Sequence, residues 1–383
     1  MHIRVNKEEL QSRLSNIQSI VDKKSTMPIL GHFLLTVDQS SFITATDLET
    51  AIKEPLQIEE IKEGGQLCIP AKKFYEIVRE MDGEIELEAE GTDWLKIRTG
   101  KSLFRIACMN PDDFPKWPQI TDTKTISFSA SKLQNMIEKT LYAAGESDTR
   151  YTLNSLLFHI KPDEKSFAIV GTDGHRLSLI KEPLNVEGLE ETKVIVPRKS
   201  ASELRRFLLK ATRSRETEEE AVEAEATDTT ILMHITKNHV VFKTDEIEFL
   251  VRLIEGNYPS YEQVIPVANE KKVLVQREDF IKALRRVSII SKDRSNAIKL
   301  DLETDRITLT ASNPDLGDAR DEIDVQYSGE AISLGFNARY LVDALNAMSA
   351  DTVVFELQEP LSPTLLKEVG IENYICVVMP MRI

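Results

Sequence analysis

The chain has 383 residues, which is long for a single hydrophobic core and predicts two to three domains. Its 41% hydrophobic and 29% charged residues are typical of a soluble globular protein, and no apolar run approaches the roughly 18 residues of a membrane span. Three cysteines without a C-x-x-C pair indicate reduced thiols, so we expect a cytoplasmic protein. The formal net charge of −15 argues, at first, against nucleic acid as a partner.

The first element, "HIRVNKEELQSRL", predicts a short strand that turns into a helix. Asn6, with Glu9 three residues later, fits a capping box at the start of that helix. Further on, "ILGHFLLTV" and "EIELEAE" alternate apolar and polar residues as half-buried strands do. The apolar residues of the helix keep a helical spacing: Leu10, Leu14, Ile17 and Val21.

The middle of the chain repeats this order with "ISFSASKLQNMI", followed by the strands "SLLFHIK" and "HVVFKTD". A stretch at 216–228, "ETEEEAVEAEATD", has seven acids in thirteen residues and no counterpart elsewhere. Such charge density predicts a solvated insertion, and a functional acidic arm is the alternative. The helical stripe of this part consists of Leu133, Met136, Ile137 and Leu141.

The last third opens with "VLVQREDFIKAL", continues with the strand "AIKLDLE" and ends in "YICVVMPMRI". That end leaves apolar residues where most chains finish in polar ones, and its methionines suit a surface that accepts several partners. The helical stripe consists of Phe280, Ile281, Leu284 and Val287.

The three parts are copies of one unit of about 126 residues. "FITATDLETAI", "AIVGTDGHRLSL" and "ITLTASNPDLGDARDEI" match one another, and so do "LCIPAKKFYEIVREM", "VIVPRKSASELRRFL" and "ISLGFNARYLVDALNAM". Each copy is predicted to be an α+β domain with two helices on one face of an antiparallel sheet. The predicted domains are 1–122, 123–266 and 267–383.

Positive charge is concentrated in the six predicted helices, whose windows sum to +10 inside this acidic chain. A charged helix face is usually only a solvated face. Helices that are collectively positive nevertheless suit contact with phosphates, and the absence of an aromatic row or a recognition helix predicts contact without sequence readout.

The segment "VGTDGHRLSLI" suggests an active site, since an acid, a histidine, an arginine and a serine fall within six residues. Its spacing suits neither a catalytic triad nor a metal site, and the six histidines form no metal-binding pattern. Because the other copies carry a similar turn without His175 and Arg176, the turn belongs to the scaffold and these two side chains mark a candidate binding site. We therefore predict no catalytic residue, metal or cofactor.

The repeats, "TMPILGHFLLTV", "GTDGHRLSL", "FNARYLVDAL" and the terminal "VVMPMRI" resemble the bacterial DNA sliding clamp family over the whole chain. This resemblance implies a processivity factor in which two subunits join head to tail into a ring around duplex DNA. It also implies as partners the clamp loader and the replicative and repair DNA polymerases, which bind through short peptides. If the positive helices surround the duplex, the inward-facing candidates are Lys24, Arg79, Arg198, Lys199, Arg206, Lys282 and Arg286. Tyr151, next to Arg150, lies where family members contact DNA.

The resemblance places a peptide groove at the junction of the second and third domains. Leu177 and Val378 would line its apolar part, while His175, Arg176 and Arg382 orient the peptide; Gln263 stands where some relatives carry arginine. The full set is Leu153, Thr172, Gly174, His175, Arg176, Leu177, Val264, Asn337, Tyr340, Val377, Val378, Met379, Pro380, Met381 and Arg382.

The same resemblance places Phe104, Ile289 and Ile290 at the subunit interface, although the sequence alone does not separate an interface from a core position. The alternative function is a repeat-built protein scaffold that never binds DNA.

Overall fold

A computed structural model describes most of the chain and divides it into two compact units. One unit consists of Met1–Leu133 and Glu203–Leu253, and the other of Gln134–Ser202 and Ile254–Ile383. Each therefore contains an outer copy of the repeat and half of the middle one. The acidic insertion at 216–228 and Lys24 lie outside the described residues, which are 1–21, 26–118, 120, 124–147, 149–184, 189–213, 229–244, 247–267, 269–291 and 296–382.

Six α-helices lie in the described residues, and each follows directly on a strand, as the six strand-to-helix units of the sequence predict. None of them is long and apolar enough to cross a membrane. They are α1 (Lys7–Ile17), α2 (Ala71–Arg79), α3 (Ala130–Leu141), α4 (Arg198–Arg213), α5 (Arg277–Val287) and α6 (Ala338–Asn346).

Twenty-five strands accompany these helices in the described residues. Those of the first copy are β1 (His2–Asn6), β2 (His32–Val37), β3 (Phe42–Thr46), β4 (Thr50–Pro55), β5 (Glu60–Glu63), β6 (Gly65–Pro70), β7 (Glu84–Glu90), β8 (Trp94–Thr99) and β9 (Ser102–Ala107). Those of the second are β10 (Lys124–Ser129), β11 (Ser155–Lys161), β12 (Ser166–Thr172), β13 (Arg176–Pro183), β14 (Thr192–Pro197), β15 (Thr230–Ile235), β16 (His239–Lys243) and β17 (Glu248–Arg252). Those of the third are β18 (Lys271–Gln276), β19 (Ala297–Glu303), β20 (Arg306–Asn313), β21 (Gly317–Gln326), β22 (Ile332–Asn337), β23 (Thr352–Leu357), β24 (Thr364–Glu368) and β25 (Tyr374–Val378).

The first unit holds a five-stranded sheet, β5-β1-β7-β8-β9, and an eight-stranded sheet, β10-β15-β16-β17-β4-β3-β2-β6. The second unit holds one sheet of twelve strands, β14-β11-β12-β13-β25-β24-β23-β18-β21-β20-β19-β22. In both units, strands of two successive copies join in one sheet, through β4 and β17 in the first and through β13 and β25 in the second. Because these pairings are antiparallel and continuous, each junction is part of a sheet and not a loose linker.

The predicted helical stripes lie in the core. Leu10, Leu14 and Ile17 are buried along α1, although the helix ends at Ile17 and Val21 follows in a turn. The stripes of α3 and α5 are buried as well, with Leu141 only half-buried. Burying a large apolar side chain stabilises the fold by about 1.5–3 kcal/mol. The buried stripes therefore contribute most of the free energy that holds the helices to the sheets.

The predicted capping box at α1 is half correct. Asn6 is the N-cap, and its side chain accepts a hydrogen bond from the Glu8 backbone N–H at 2.8 Å. Glu9 does not complete the box, because its carboxylate accepts from Arg13 Nε at 2.9 Å and from the backbone N–H of Gln57 at 3.2 Å.

Candidate functional site

A tight turn at 172–176 joins β12 to β13 and is held closed by its own side chains. The Thr172 hydroxyl donates to the Arg176 carbonyl at 2.7 Å, and the Gly174 N–H donates to that hydroxyl at 3.1 Å. Asp173 Oδ1 accepts from the backbone N–H groups of His175 at 2.9 Å and Arg176 at 3.0 Å. Gly174 has φ of 86°, a left-handed conformation that suits glycine. Asp173 is therefore engaged as the cap of the turn.

His175 is exposed at the tip of this turn and stacks on Tyr340 of α6. The ring centroids are 6.4 Å apart and the planes differ by 17°. An offset stack of this kind holds the imidazole flat against an aromatic surface and keeps its edge open to solvent. The pair forms one wall of the candidate groove.

Arg176 lies behind this wall as a buried crosslink. Its guanidinium donates to Asp173 at 3.0 Å, to Asp343 at 2.6 Å and to the Tyr142 carbonyl at 2.7 Å. It also lies over the Tyr340 ring at 4.6 Å. Burial alone would lower the pKa of Arg176, but the carboxylates of Asp343 and Asp173 outweigh that effect and raise it. The sequence predicts that Arg176 orients a peptide. Its contacts within the chain join the turn to α6 and to Tyr142, just after α3.

The end of the chain lies directly beside this turn. Strand β25 pairs antiparallel with β13, and beyond the strand the Met379 N–H donates to the His175 carbonyl at 2.9 Å. The Met381 N–H donates to the Gly335 carbonyl at 2.8 Å, which fixes the tail to β22. Met379, Pro380 and Met381 are half-buried. The tail is therefore an ordered part of the site.

An apolar cluster lies on one face of β13 and β25. Leu177 and its cross-strand partner Val377 belong to it, and the half-buried Val264 packs against it. The sequence predicted that Val378 lines the apolar part of the groove together with Leu177. Val378 instead pairs with Arg176, the residue before Leu177, and so does not lie on this face. Alternate residues of a strand point to opposite faces, so Val377 and not Val378 accompanies Leu177.

The remaining candidates lie around the same junction. Leu153 is buried at the end of a short 3-10 turn, and Asn337 caps α6 by accepting from the Arg339 N–H at 2.9 Å. Gln263 and Arg382 are exposed. The candidate site thus combines a buried apolar cluster, a stacked histidine–tyrosine pair and a methionine-rich tail, a combination that suits peptide binding.

Three family profiles match successive parts of the chain: those of the N-terminal, central and C-terminal domains of the DNA polymerase III beta subunit match residues 1–118, 127–260 and 262–382. The chain belongs to the DNA polymerase III beta subunit family. It is therefore built of three sliding-clamp domains. Among the comparisons, the beta sliding clamps of Pseudomonas putida and Caulobacter vibrioides are 32% and 33% identical to it, each over 100% of both chains.

Solved clamps have the same fold. The beta subunit of Pseudomonas aeruginosa superposes with a TM-score of 0.92 at 30% identity, covering 100% of each chain. The sliding clamp of Bartonella birtlesii, solved bound to griselimycin, superposes with a TM-score of 0.89 at 33% identity and the same coverage.

The DNA-facing candidates of this clamp chain differ in how far their charge is engaged. Arg79 and Lys282 are exposed, and within the described residues Arg79 bonds only its neighbour Glu80, at 3.1 Å. Arg198 donates to the Ala144 carbonyl at 2.6 Å and so also braces the loop after α3. Tyr151 is 78% exposed. Among the others, Arg150, Lys199, Arg206 and Arg286 have partners, and Lys24 is outside the described residues.

The interface candidates are surface residues rather than core. Phe104 on β9 is 41% exposed and Ile289, just after α5, is 58% exposed, while Ile290 is half-buried. Exposed large apolar side chains are the expected signature of a contact surface.

Sequence reasoning missed the partners of Arg176 and part of the floor. Asp343 follows Tyr340 by three residues on α6, a helical spacing that would have indicated a shared face. Tyr258 and Tyr261 pack on the floor from the segment between the second and third copies, where "GNYPSYEQV" carries two tyrosines.

Proposed function

We propose that this chain is a processivity factor, a non-catalytic accessory subunit of a DNA polymerase that acts in the bacterial cytoplasm. Two copies close head to tail into a ring around duplex DNA. The groove at the β13–β25 junction tethers polymerases, the clamp loader and repair proteins by short peptides.

The pattern of junctions carries the ring proposal. Within the chain, the last strand of one copy pairs with the fourth strand of the copy before it: β17 with β4, and β25 with β13. The same rule would pair β9, the last strand of the first copy, with β21 of the third copy. Among the described residues these two strands do not pair with each other. Strand β9 pairs only with β8, and the first part of β21 pairs only with β20. Pairing of β9 with β21 of a second subunit is a heterologous contact, and two such contacts close a ring of six domains.

The surfaces on the two strands support that pairing. Strand β9 carries the exposed Leu103 and Phe104 next to Arg105. The first part of β21 is rich in acids, with Asp318, Asp321 and Glu322. Apolar contact flanked by opposite charges gives both burial and register.

Sliding follows from weak contacts inside a closed ring. The ring stays on the duplex by topology, so exposed Lys and Arg side chains need only balance phosphate charge, without a large barrier at each step. Each polymerase peptide would lay an apolar side chain on the floor formed by Leu177 and Val377, with His175 and the tail on either side. Hydrogen bonds within the chain already hold the turn and the tail, which supports a low entropic cost of binding.

The decisive experiment loads the protein onto nicked circular DNA with a clamp loader and then linearises the circle. Retention on the circle and loss from the linear form are expected for a ring. Equal retention on both, or failure to load on either, would identify a scaffold that does not encircle DNA. A ring of two subunits also requires that the protein in solution has a mass of about twice the 43.4 kDa of one chain.

The groove is tested separately by deleting residues 379–383. Peptide binding should be lost while the dimer mass stays the same, because the tail contributes Met379 and Met381 to the groove and none of the proposed interface residues. Unchanged affinity for a glutamine-containing clamp-binding peptide would contradict the groove assignment.

A further inference from the structure

The turn between β3 and β4 in the first copy repeats, bond for bond, the turn that carries His175. The Thr46 hydroxyl donates to the Thr50 carbonyl at 3.0 Å and accepts from the Leu48 N–H at 3.0 Å. Asp47 Oδ1 accepts from the N–H groups of Glu49 at 3.0 Å and Thr50 at 2.7 Å. The scaffold of the groove wall is therefore built twice in this chain.

The strand pairing beside this turn is repeated as well. Ala51 of β4 lies opposite Leu250 of β17, in the register that Leu177 has with its partner on β25. Beyond the strand the Arg252 N–H donates to the Glu49 carbonyl at 2.8 Å, the counterpart of the bond between the tail and the turn of the second copy.

An apolar floor covers the same face of this junction. Ala51, Leu250 and Val241 form a buried cluster, against which the half-buried Trp117 and Ile120 pack. The segment with Trp117 and Ile120 precedes the second copy as the segment with the floor tyrosines precedes the third. We call these five residues and the turn 46–50 the first-junction notch. At the position that Leu177 has in the groove, the notch has the smaller side chain of Ala51.

Leu48 in the turn of the notch has an unusual backbone conformation for an exposed leucine. Its φ is 75°, where the second copy has Gly174 at 86°. A leucine in the left-handed region is disfavoured by its Cβ, and this one is also 45% exposed. Two unfavourable features at one surface position point to a contact that is made with another molecule.

The turn of the notch carries negative charge at the position where the turn of the groove carries a histidine. Glu49 occupies the place of His175, is exposed, and forms no ion pair within the described part of the chain. Asp47 adds a second carboxylate to the same turn, against one exposed guanidinium, that of Arg252. The turn and this arginine together carry one net negative charge, which favours a cationic side chain.

We propose that the first-junction notch is a second docking site, which binds an extended peptide carrying a basic side chain beside a bulky apolar one. The apolar side chain packs between Leu48 and the floor at Ala51, and the basic one pairs with Glu49. The inference rests on the proposed groove, because the likeness of the two junctions is what identifies the notch.

The test uses the full-length dimer and two labelled peptides, Gly-Arg-Leu-Phe-Gly and Gly-Glu-Leu-Phe-Gly, followed by fluorescence anisotropy. The arginine peptide should bind saturably and the glutamate peptide more weakly. Glu49→Lys should weaken the arginine peptide about tenfold and strengthen the glutamate peptide, since the charge pair is reversed and then restored. Glu59→Lys, an exposed acid elsewhere in the same unit, is the matched control and should leave both affinities unchanged.

Leu48→Gly separates contact from folding. It relieves the left-handed backbone, so thermal stability should hold or rise while affinity for the arginine peptide falls. Loss of affinity without loss of stability supports the proposal, and unchanged affinity contradicts it.

Deletion of residues 379–383 separates the notch from the groove. The arginine peptide should still bind to the deletion variant, while a glutamine-containing clamp-binding peptide should not. If the arginine peptide is lost too, or if Glu49→Lys behaves like Glu59→Lys, the notch is overturned. If instead the glutamine-containing peptide is unaffected while the arginine peptide depends on Glu49, the groove assignment fails and the notch stands.

Discussion

Arg176 and Asp343 form an ion pair of 2.6 Å that joins the turn of the second copy to helix α6 of the third. The same guanidinium holds Asp173, so one buried side chain fixes the turn, the helix and the Tyr340 ring between them. His175 and Tyr340 stack because their two supports are fixed to each other. Contacts within the chain therefore fix the wall of the candidate groove, and we expect its rigidity to depend on Arg176.

Replacing Arg176 by alanine should lower the free energy of unfolding by about 3 kcal/mol, because it leaves two carboxylates and a carbonyl without their buried donor. Chemical denaturation measures this loss. Affinity for groove peptides should fall in parallel, as the wall loosens. Arg306→Ala removes an exposed arginine of β20 and serves as the control, with a change below about 1 kcal/mol. Equal effects of the two variants would show that Arg176 does not crosslink the wall.

Val377 and Val378 form a matched pair for testing which face of β25 receives the peptide. Both are buried to the same degree, but only Val377 belongs to the floor with Leu177. Val377→Thr and Val378→Thr keep the shape and add a hydroxyl, so each should cost about 1–2 kcal/mol of stability. Only Val377→Thr should weaken peptide binding, by about tenfold in a calorimetric titration. A larger loss for Val378→Thr would mean that the peptide binds the opposite face.

Periodic features of this chain could be predicted from the sequence, whereas partnerships across copies could not. The stripe with Phe280 and Leu284 follows from helical spacing and is buried as predicted. The strand "SLLFHIK" also occurs, but its alternation predicted one buried face, whereas its first six residues are all buried. The task of Arg176 depends on Asp343, 167 residues away, which no local pattern reports. The face of the sheet on which Val378 lies depends on the strand register. A shift of one residue would move every side chain of the strand to the other face. The prediction that Glu9 completes the capping box was wrong, because its carboxylate accepts a hydrogen bond from Gln57, which is distant in sequence.

Lys282 should contribute to DNA affinity more than Arg286 does. Lys282 is exposed on α5, whereas Arg286 donates to Asp321 at 2.6 Å, which already balances part of its charge. Lys282→Ala should therefore reduce the slope of log affinity against log salt by about 0.9, the value for one phosphate contact. The measurement is a salt titration with short duplex DNA. Arg286→Ala should change the slope less, and a larger change for Arg286→Ala would reverse the assignment.

Glu54 predicts a pH dependence of stability in the first unit. Its side chain is fully buried beneath α1, where Oε2 accepts from Asn16 at 2.9 Å and Oε1 has no hydrogen-bond partner in the described residues. Burial raises its pKa from 4.5 to about 7, and Asn16, Arg13 and Lys210 offset this only in part. Between these two values the folded state holds a proton that the unfolded chain has released, so stability falls as pH rises through this window.

Glu54→Gln should remove that fall, because the amide keeps the bond to Asn16 and carries no charge. At pH 8 the variant should be more stable than the parent by up to about 3 kcal/mol, and near pH 4.5 the two should agree. Denaturant titrations across this range measure the difference, with the exposed Glu60→Gln as control. A destabilised variant at pH 8 would mean that the ionised carboxylate, held by Arg13 and Lys210, is the favoured form.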